Sequence, residues 1–144
     1  MRCTPMAVFT SSITRKEDAK NAILIDVKMT HPDKLVQEAI LTYELAIHYL
    51  LNHPDDQFKA KQAFDQALEE SKQFKTYQDD QGRDQSVQIW LKLALHLNQI
   101  TQKNKTLLIK PIPASLLNCR NAMGWLQKAF VLSFYYLLRH DDYK

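Results

Sequence analysis

The sequence contains only two glycines, Gly82 and Gly124, in 144 residues. They lie too far apart to form either GxGxxG or GxxxxGK[ST], so phosphate-binding loops of these two kinds are excluded. Scarce glycine also argues against a hairpin-rich β protein, because tight hairpin turns depend on it. The two cysteines, Cys3 and Cys119, are too few for a disulfide framework or a zinc site.

The sequence also lacks a large excess of one charge and a long hydrophobic run. It has 19 Lys and Arg against 16 Asp and Glu, mixed along the chain, and a net charge of +3. A nucleic-acid-binding protein usually gathers its basic residues into a patch. The longest apolar-rich stretch, residues 125–138, is too short and too interrupted to span a bilayer. The first residues do not fit a signal-peptide pattern, because no apolar stretch of that kind follows Arg2. We therefore expect a cytoplasmic protein that binds neither nucleic acid nor membranes.

Apolar residues recur at helical spacing through most of the chain, which predicts an all-α fold. Thr14 and Glu17 have capping-box spacing and predict a helix from Arg15 to about Lys28. The segment 30–33 ends this helix and begins the next, with Pro32 suited to its first turn. The second helix carries a long apolar stripe made of Val36, Ala39, Ile40, Tyr43, Ala46, Ile47 and Leu50.

Three further helices are predicted in the second half of the chain. An amphipathic helix covers about 58–74, and a helix over 84–100 follows the polar loop 78–83. A linker, 101–113, precedes a last helix that begins between Leu117 and Met123 and reaches about Arg139. The last helix is apolar around most of its circumference, and burying it requires several neighbouring helices. The predicted core is therefore larger than the chain, and we expect an incomplete domain.

Three acidic segments invite a functional interpretation. Asp55-Asp56 and Asp141-Asp142 lie beside predicted helix starts, where carboxylates act as N-terminal caps. The segment 79–84 has some of the composition of a calcium loop. It lacks the EF-hand spacing, because the twelfth position counted from Asp79 is Trp90 and not Glu. We predict no metal site at any of these segments.

Four segments, taken in order, carry a resemblance to a known family. They are Met1-Arg2-Cys3-Thr4-Pro5, Met29-Thr30-His31-Pro32-Asp33, Gly124-Trp125-Leu126 with the helix after it, and Arg139-His140-Asp141-Asp142-Tyr143. They resemble the Met-Arg-x-x-Pro segment, the Thr-His-Pro-Asp turn, the Gly-Tyr-Val helix and the acidic turn behind it in the ADP-ribosylglycohydrolase family. The resemblance extends over nearly the whole chain.

The resemblance implies a helical orthogonal bundle that removes ADP-ribose from modified proteins or small acceptors with the help of Mg²⁺. The family holds Mg²⁺ through a Thr/Ser-Asp-Asp segment and a Gly-Gly-Asp-x-Asp-Thr segment, and neither occurs here. They would lie before Met1 and after Lys144. Residues 1–144 would then be a partial domain, a fragment with no catalytic or metal-binding residue of its own. We expect such a chain to be inactive alone.

The same resemblance places four residues on the substrate side. His31, Gly124, Trp125 and Arg2 would contact ADP-ribose, either free or attached to a protein. Each position also has a structural interpretation. His31 could cap a helix locally, Trp125 could pack in the core, and Arg2 could form an ion pair. Trp125 stands where the family more often has Tyr, so a hydrogen bond from that hydroxyl is lost.

A non-catalytic helical interaction or ADP-ribose-binding module is the alternative function. Ala60, Phe64 and Ala67 have the spacing of the second helix of a tetratricopeptide repeat. The expected glycine is missing, Lys72 stands at the position of the closing proline, and no copy of the repeat occurs. An interaction module should fold alone, whereas part of an enzyme should expose apolar surface and bind dye or aggregate.

Overall fold

The computed structural model describes residues 3–103 and 124–139, which confirm the all-α class. Their elements are α1 (Cys3–Ser11), α2 (Lys16–Lys28), α3 (Lys34–Asn52), α4 (Lys59–Ser71), β1 (Tyr77–Gln78), β2 (Asp84–Gln85), α5 (Val87–Lys103) and α6 (Gly124–Arg139). Within these ranges, no helix is long and apolar enough to cross a membrane.

The starts of α2 and α3 differ from the predicted ones. Arg15 is the N-cap of α2 and no side chain bonds there, so the Thr14 capping box is wrong. Glu17 instead lies in the first turn, where its carboxylate interacts favourably with the positive end of the helix dipole. Asp33 caps α3, and its Oδ1 accepts a hydrogen bond from Val36 N at 2.9 Å. Pro32 therefore precedes the cap and lies outside the first turn.

The two acidic residues before α4 are not its cap. Phe58 is the N-cap of α4 and makes no side-chain hydrogen bond there. Asp56 Oδ1 accepts from Phe58 N at 2.7 Å and so closes the turn before the helix. The segment 141–142 lies outside the described residues.

A short hairpin lies where a polar loop was predicted. Tyr77 pairs with Gln85 and Gln78 with Asp84. Gly82 has a φ of +69°, a backbone conformation that is costly for residues with a Cβ. Asp79 Oδ1 accepts from Arg83 N and from Gln81 N, each at 2.9 Å. These hydrogen bonds, that from Arg83 most of all, hold the Asp79 pKa below its usual range. The chain therefore turns through side-chain hydrogen bonds that apolar periodicity does not reveal.

The boundaries of α5 also differ from the prediction. This helix begins at Val87, because residues 84–85 form β2, and it continues to Lys103. The start of the predicted linker, 101–103, is thus helical, and 104–113 lies outside the described residues. For α6, the description begins at Gly124.

Two apolar clusters hold the helices together. The larger one joins α3, α4, α5 and α6 through Phe64, Trp90, Leu91, Phe130, Phe134 and Tyr135 among other buried residues. Phe64 and Phe134 meet edge to face, with their ring centroids 6.1 Å apart. The smaller cluster joins α2 and α3 through Ile23, Val27, Ile40, Leu41 and Leu45, and Met6 of α1 packs against it.

Candidate functional site

His31 lies in an exposed turn between α2 and α3, and hydrogen bonds hold the backbone on both sides of it. Its N–H donates to Val27 O at 2.8 Å, which extends the last turn of α2. Gln37 Nε2 donates to His31 O at 2.7 Å from the first turns of α3. Gln37 is buried, so the turn is anchored on its inner side. The position of His31 is therefore defined although its side chain is exposed.

The His31 ring is oriented by its neighbour. Thr30 Oγ1 and His31 Nδ1 are hydrogen-bonded at 2.8 Å. This contact leaves Nε2 as the ring nitrogen available to a ligand. His31 lies two residues before Asp33, the N-cap of α3, a 19-residue helix. The N-terminus of a helix attracts anions and hydrogen-bond acceptors, but here the Asp33 carboxylate already accepts from Val36 N. A hydroxyl-rich ligand would suit this position, and an anionic group would bind beside this carboxylate.

The other residues predicted on the substrate side are less fully placed. Gly124 and Trp125 form the first two positions of α6. The side chain of Trp125, like the whole of Arg2, lies outside the described part of the structure. The predicted grouping of these three residues with His31 stays a prediction.

An apolar groove lies between α3 and α6, where their facing stripes do not close on each other. Its volume is about 470 Å³, and it is lined by Tyr43, Ala46, Ile47, Leu50, Ser133, Phe134, Tyr136 and Leu137. Volumes of this size are typical of small-molecule pockets. Among the described residues, the polar groups of the lining are the hydroxyls of Tyr43, Tyr136 and Ser133, and Ser133 Oγ already donates to Ala129 O at 2.8 Å. The groove is therefore suited mainly to apolar groups.

The groove lies some way along the helices from the His31 turn and from Gly124. Tyr43 lies ten residues along α3 from the cap Asp33, which is about 15 Å at the helical rise. Ser133 lies nine residues along α6 from Gly124, about 13 Å. Sequence periodicity identified part of the lining, including Tyr43, Ile47 and Phe134. It did not indicate that these stripes border a groove.

A buried carboxyl on α3 is a feature that the sequence interpretation missed. The side chain of Glu44 is 1% exposed, and neither of its carboxyl oxygens has a hydrogen-bond partner. Burial, together with the like charge of Asp26, raises the Glu44 pKa to about 8. The available signal was the covered second face of α3, where Leu41 and Leu45 flank Glu44. The predicted apolar stripe of α3 contains neither Leu41 nor Leu45.

Two partly buried carboxylates, Glu38 and Glu70, do have partners, although Glu38 Oε2, like both oxygens of Glu44, lacks a hydrogen bond. Glu38 Oε1 accepts from Tyr77 Oη at 2.8 Å, and burial raises the pKa of both groups, that of Tyr77 to about 12. Glu70 of α4 pairs with Lys16 at 2.9 Å and with Lys20. Burial acts against the Glu70 charge, but the two lysines outweigh it and lower the Glu70 pKa. The Glu38–Tyr77 contact connects α3 with β1, and the Glu70 ion pairs connect α4 with α2. They hold the fold together and do not form an open site.

The described residues do not provide a magnesium site. Across 3–103 and 124–139, no group of three or more His, Cys, Asp or Glu side chains could hold a metal ion. The two family segments that would hold Mg²⁺ under the resemblance do not occur in this sequence, so no chemical step is derived through the ion. Comparison of the chain with protein-family profiles, curated proteins and solved structures finds no match.

Proposed function

We propose that this chain is the substrate-binding central part of an ADP-ribosyl hydrolase. The ordered motifs described above support the proposal, and so does the all-α fold. The observation that carries it is the exposed turn at His31. An imidazole oriented by Thr30, on a backbone anchored by Gln37, stands before the N-terminus of a long helix.

The proposed role of this turn is binding. The pyrophosphate of ADP-ribose is a di-anion, and its ribose hydroxyls accept and donate hydrogen bonds. His31 Nε2 would hydrogen-bond one such oxygen, while the helix dipole of α3 would favour the negative charge. The two metal-binding segments of the family do not occur in this sequence, so we expect the chain alone to bind ADP-ribose without cleaving it.

Calorimetric titration of the whole chain with ADP-ribose tests the proposal. Replacing His31 by Ala should weaken binding by about tenfold or more, because a hydrogen bond to a charged ligand is worth roughly 1.5–3 kcal/mol. His96→Ala is the matched control, since His96 is an exposed histidine on α5. Thr30→Val should weaken binding by a smaller factor, because it frees the ring without removing it.

Three kinds of result would contradict or refine the proposed binding site at His31. If ADP-ribose does not bind at millimolar concentration, or if His31→Ala and His96→Ala bind equally well, the assignment of this turn is wrong. Release of ADP-ribose from ADP-ribosyl-arginine by the chain with Mg²⁺ would contradict the placement of the metal ligands outside it. ADP and ribose 5-phosphate, titrated separately, show which half of the ligand is recognised.

The groove between α3 and α6 favours a second candidate, a non-catalytic helical module that binds an apolar partner. On this alternative, the groove and not the His31 turn carries the function. Ile47→Ser, inside the groove, should then reduce binding of an anilinonaphthalene dye. Ile89→Ser, at a partly exposed position on α5, should leave it unchanged. Equal dye binding by the two variants would remove the support for this candidate.

A further inference from the structure

The buried carboxyl of Glu44 lies on the face of α3 that α1 and α2 cover. Residues 37, 41, 44 and 48 share this face, since they are three or four positions apart. Leu41 packs in the smaller apolar cluster with residues of α2, and Met6 of α1 packs against the same cluster. One turn beyond Glu44, His48 Nε2 lies 3.4 Å from Ile13 O, just after α1. Helix α1 therefore runs along α3 over Glu44.

The contacts around this carboxyl do not compensate for its burial. Thr10, the buried hydroxyl residue of α1, donates to Ala7 O in its own helix at 3.1 Å. Neither oxygen of Glu44 is hydrogen-bonded. A buried carboxylate without a hydrogen bond or a counter-ion is strongly unfavourable, so the group keeps its proton or becomes exposed to water.

The two covering helices differ in how they are tied to the rest of the bundle. Helix α1 buries Ala7 and Thr10 and exposes more than half of Val8 and Phe9, and its nine residues include no charged side chain. Helix α2 is tied to α4 by ion pairs to Glu70. Separating α1 from α3 therefore breaks no ion pair, whereas separating α2 does. Local opening follows the elements that can separate at the lower free energy, and we take α1 as the helix that opens to hydrate Glu44.

We propose that loss of the Glu44 proton releases α1 from α3, so that this helix is a pH-dependent flap on the bundle. The charges that face Glu44 support this direction. Asp26 from α2 repels the carboxylate. Helix α1 contributes no basic residue, and its one titratable residue is Cys3. His48 lies one turn along α3. This proposal is independent of the proposed function.

The pH range follows from the two states of the carboxyl. In the closed form its pKa is about 8, whereas the hydrated carboxyl has the ordinary value near 4.5. Below pH 4.5 both forms hold the proton, so pH has no effect on opening through this group. Between about 4.5 and 8 only the closed form holds it, and the opening constant rises about tenfold per pH unit. Above about pH 8 the opening constant levels off.

Hydrogen exchange followed by mass spectrometry on the whole chain measures this opening. The relevant quantity is the exchange rate of the peptide covering Cys3–Ser11 in wild type divided by that in Glu44→Gln at the same pH. Intrinsic chemical exchange cancels in this ratio. We expect the ratio to rise about tenfold per unit from pH 5 to 8 and then to level off. A ratio that does not change with pH would overturn the proposal.

Two further comparisons separate local opening from other effects. In wild type, an α5 peptide should not follow the pH dependence of the α1 peptide after correction for intrinsic rates; parallel behaviour means global unfolding and overturns the proposal. This comparison needs no variant. Glu38→Gln alters another buried carboxyl of α3, and His48→Gln removes the nearby imidazole. Both should retain the wild-type pH dependence, and loss of it in either would refute the assignment to Glu44.

Discussion

The edge-to-face contact between Phe64 and Phe134 offers a quantitative test of how α4 and α6 are joined. Both side chains are 1% exposed, and their centroids are 6.1 Å apart at an interplanar angle of 70°. Phe64→Ala removes a buried ring and leaves a cavity, which should lower the free energy of unfolding by about 3–5 kcal/mol. Of this, about 0.5–1.5 kcal/mol belongs to the ring pair itself. Urea unfolding followed by circular dichroism measures the total.

A control and a double-mutant cycle make the test specific to the packing. Phe58→Ala, at a side chain that is 58% exposed, should change the free energy by no more than about 0.5 kcal/mol. Phe64→Leu and Phe134→Leu, alone and together, should show a coupling of about 0.5–1.5 kcal/mol. A coupling near zero, or equal losses for Phe64→Ala and Phe58→Ala, would show that α6 does not pack on α4 in this way.

Three other predictions follow from local contacts. Asp33→Ala should lower the free energy of unfolding by about 1 kcal/mol, because Val36 N loses its hydrogen-bond acceptor. Asp33→Asn, which can still accept this hydrogen bond, should retain most of the stability that the cap contributes; urea unfolding measures both variants. Gly82→Ala should cost about 1–2 kcal/mol in the same assay; no atom would crowd the added Cβ, so a smaller loss for Gly82→Asn identifies the positive φ as the cause. The Glu70 pKa is lowered in the folded chain, so its pairing with Lys20 stabilises above pH 4.5 and is lost in acid. The difference in urea midpoint between wild type and Glu70→Gln should therefore become smaller as the pH falls below about 4.5. A difference that does not change with pH would contradict the ion pairing.

The helices were predictable because their apolar stripes depend only on local spacing. The stripe from Val36 to Leu50 lies within α3, and α4 buries Ala63, Phe64 and Ala67 on one face as expected. The endpoints were less predictable, because caps depend on individual hydrogen bonds. Asp33 bonds Val36 N at the start of α3, whereas Thr14, which has an equally suitable spacing, does not cap α2.

The hairpin and the buried acid were not predicted for a different reason. Residues 77–85 are mostly polar, and the turn depends on Asp79 and a positive φ at Gly82, neither of which produces a periodic signal. Glu44 is polar, so it adds nothing to the apolar periodicity from which buried positions are predicted. Its burial is a consequence of where α1 and α2 pack, and that is tertiary information.

The groove shows how much of a binding surface can be predicted from apolar periodicity. Periodicity shows that α6 is apolar around most of its circumference, and this is why the predicted core exceeded the chain. It does not show which parts of the α3 and α6 stripes meet. In the structure, Ala46 and Phe134 are buried beside the groove, while Tyr136 is still 46% exposed. Part of the apolar surface of α3 and α6 therefore borders a groove, and which parts of two stripes stay open is decided by how the helices pack and not by their spacing in the sequence.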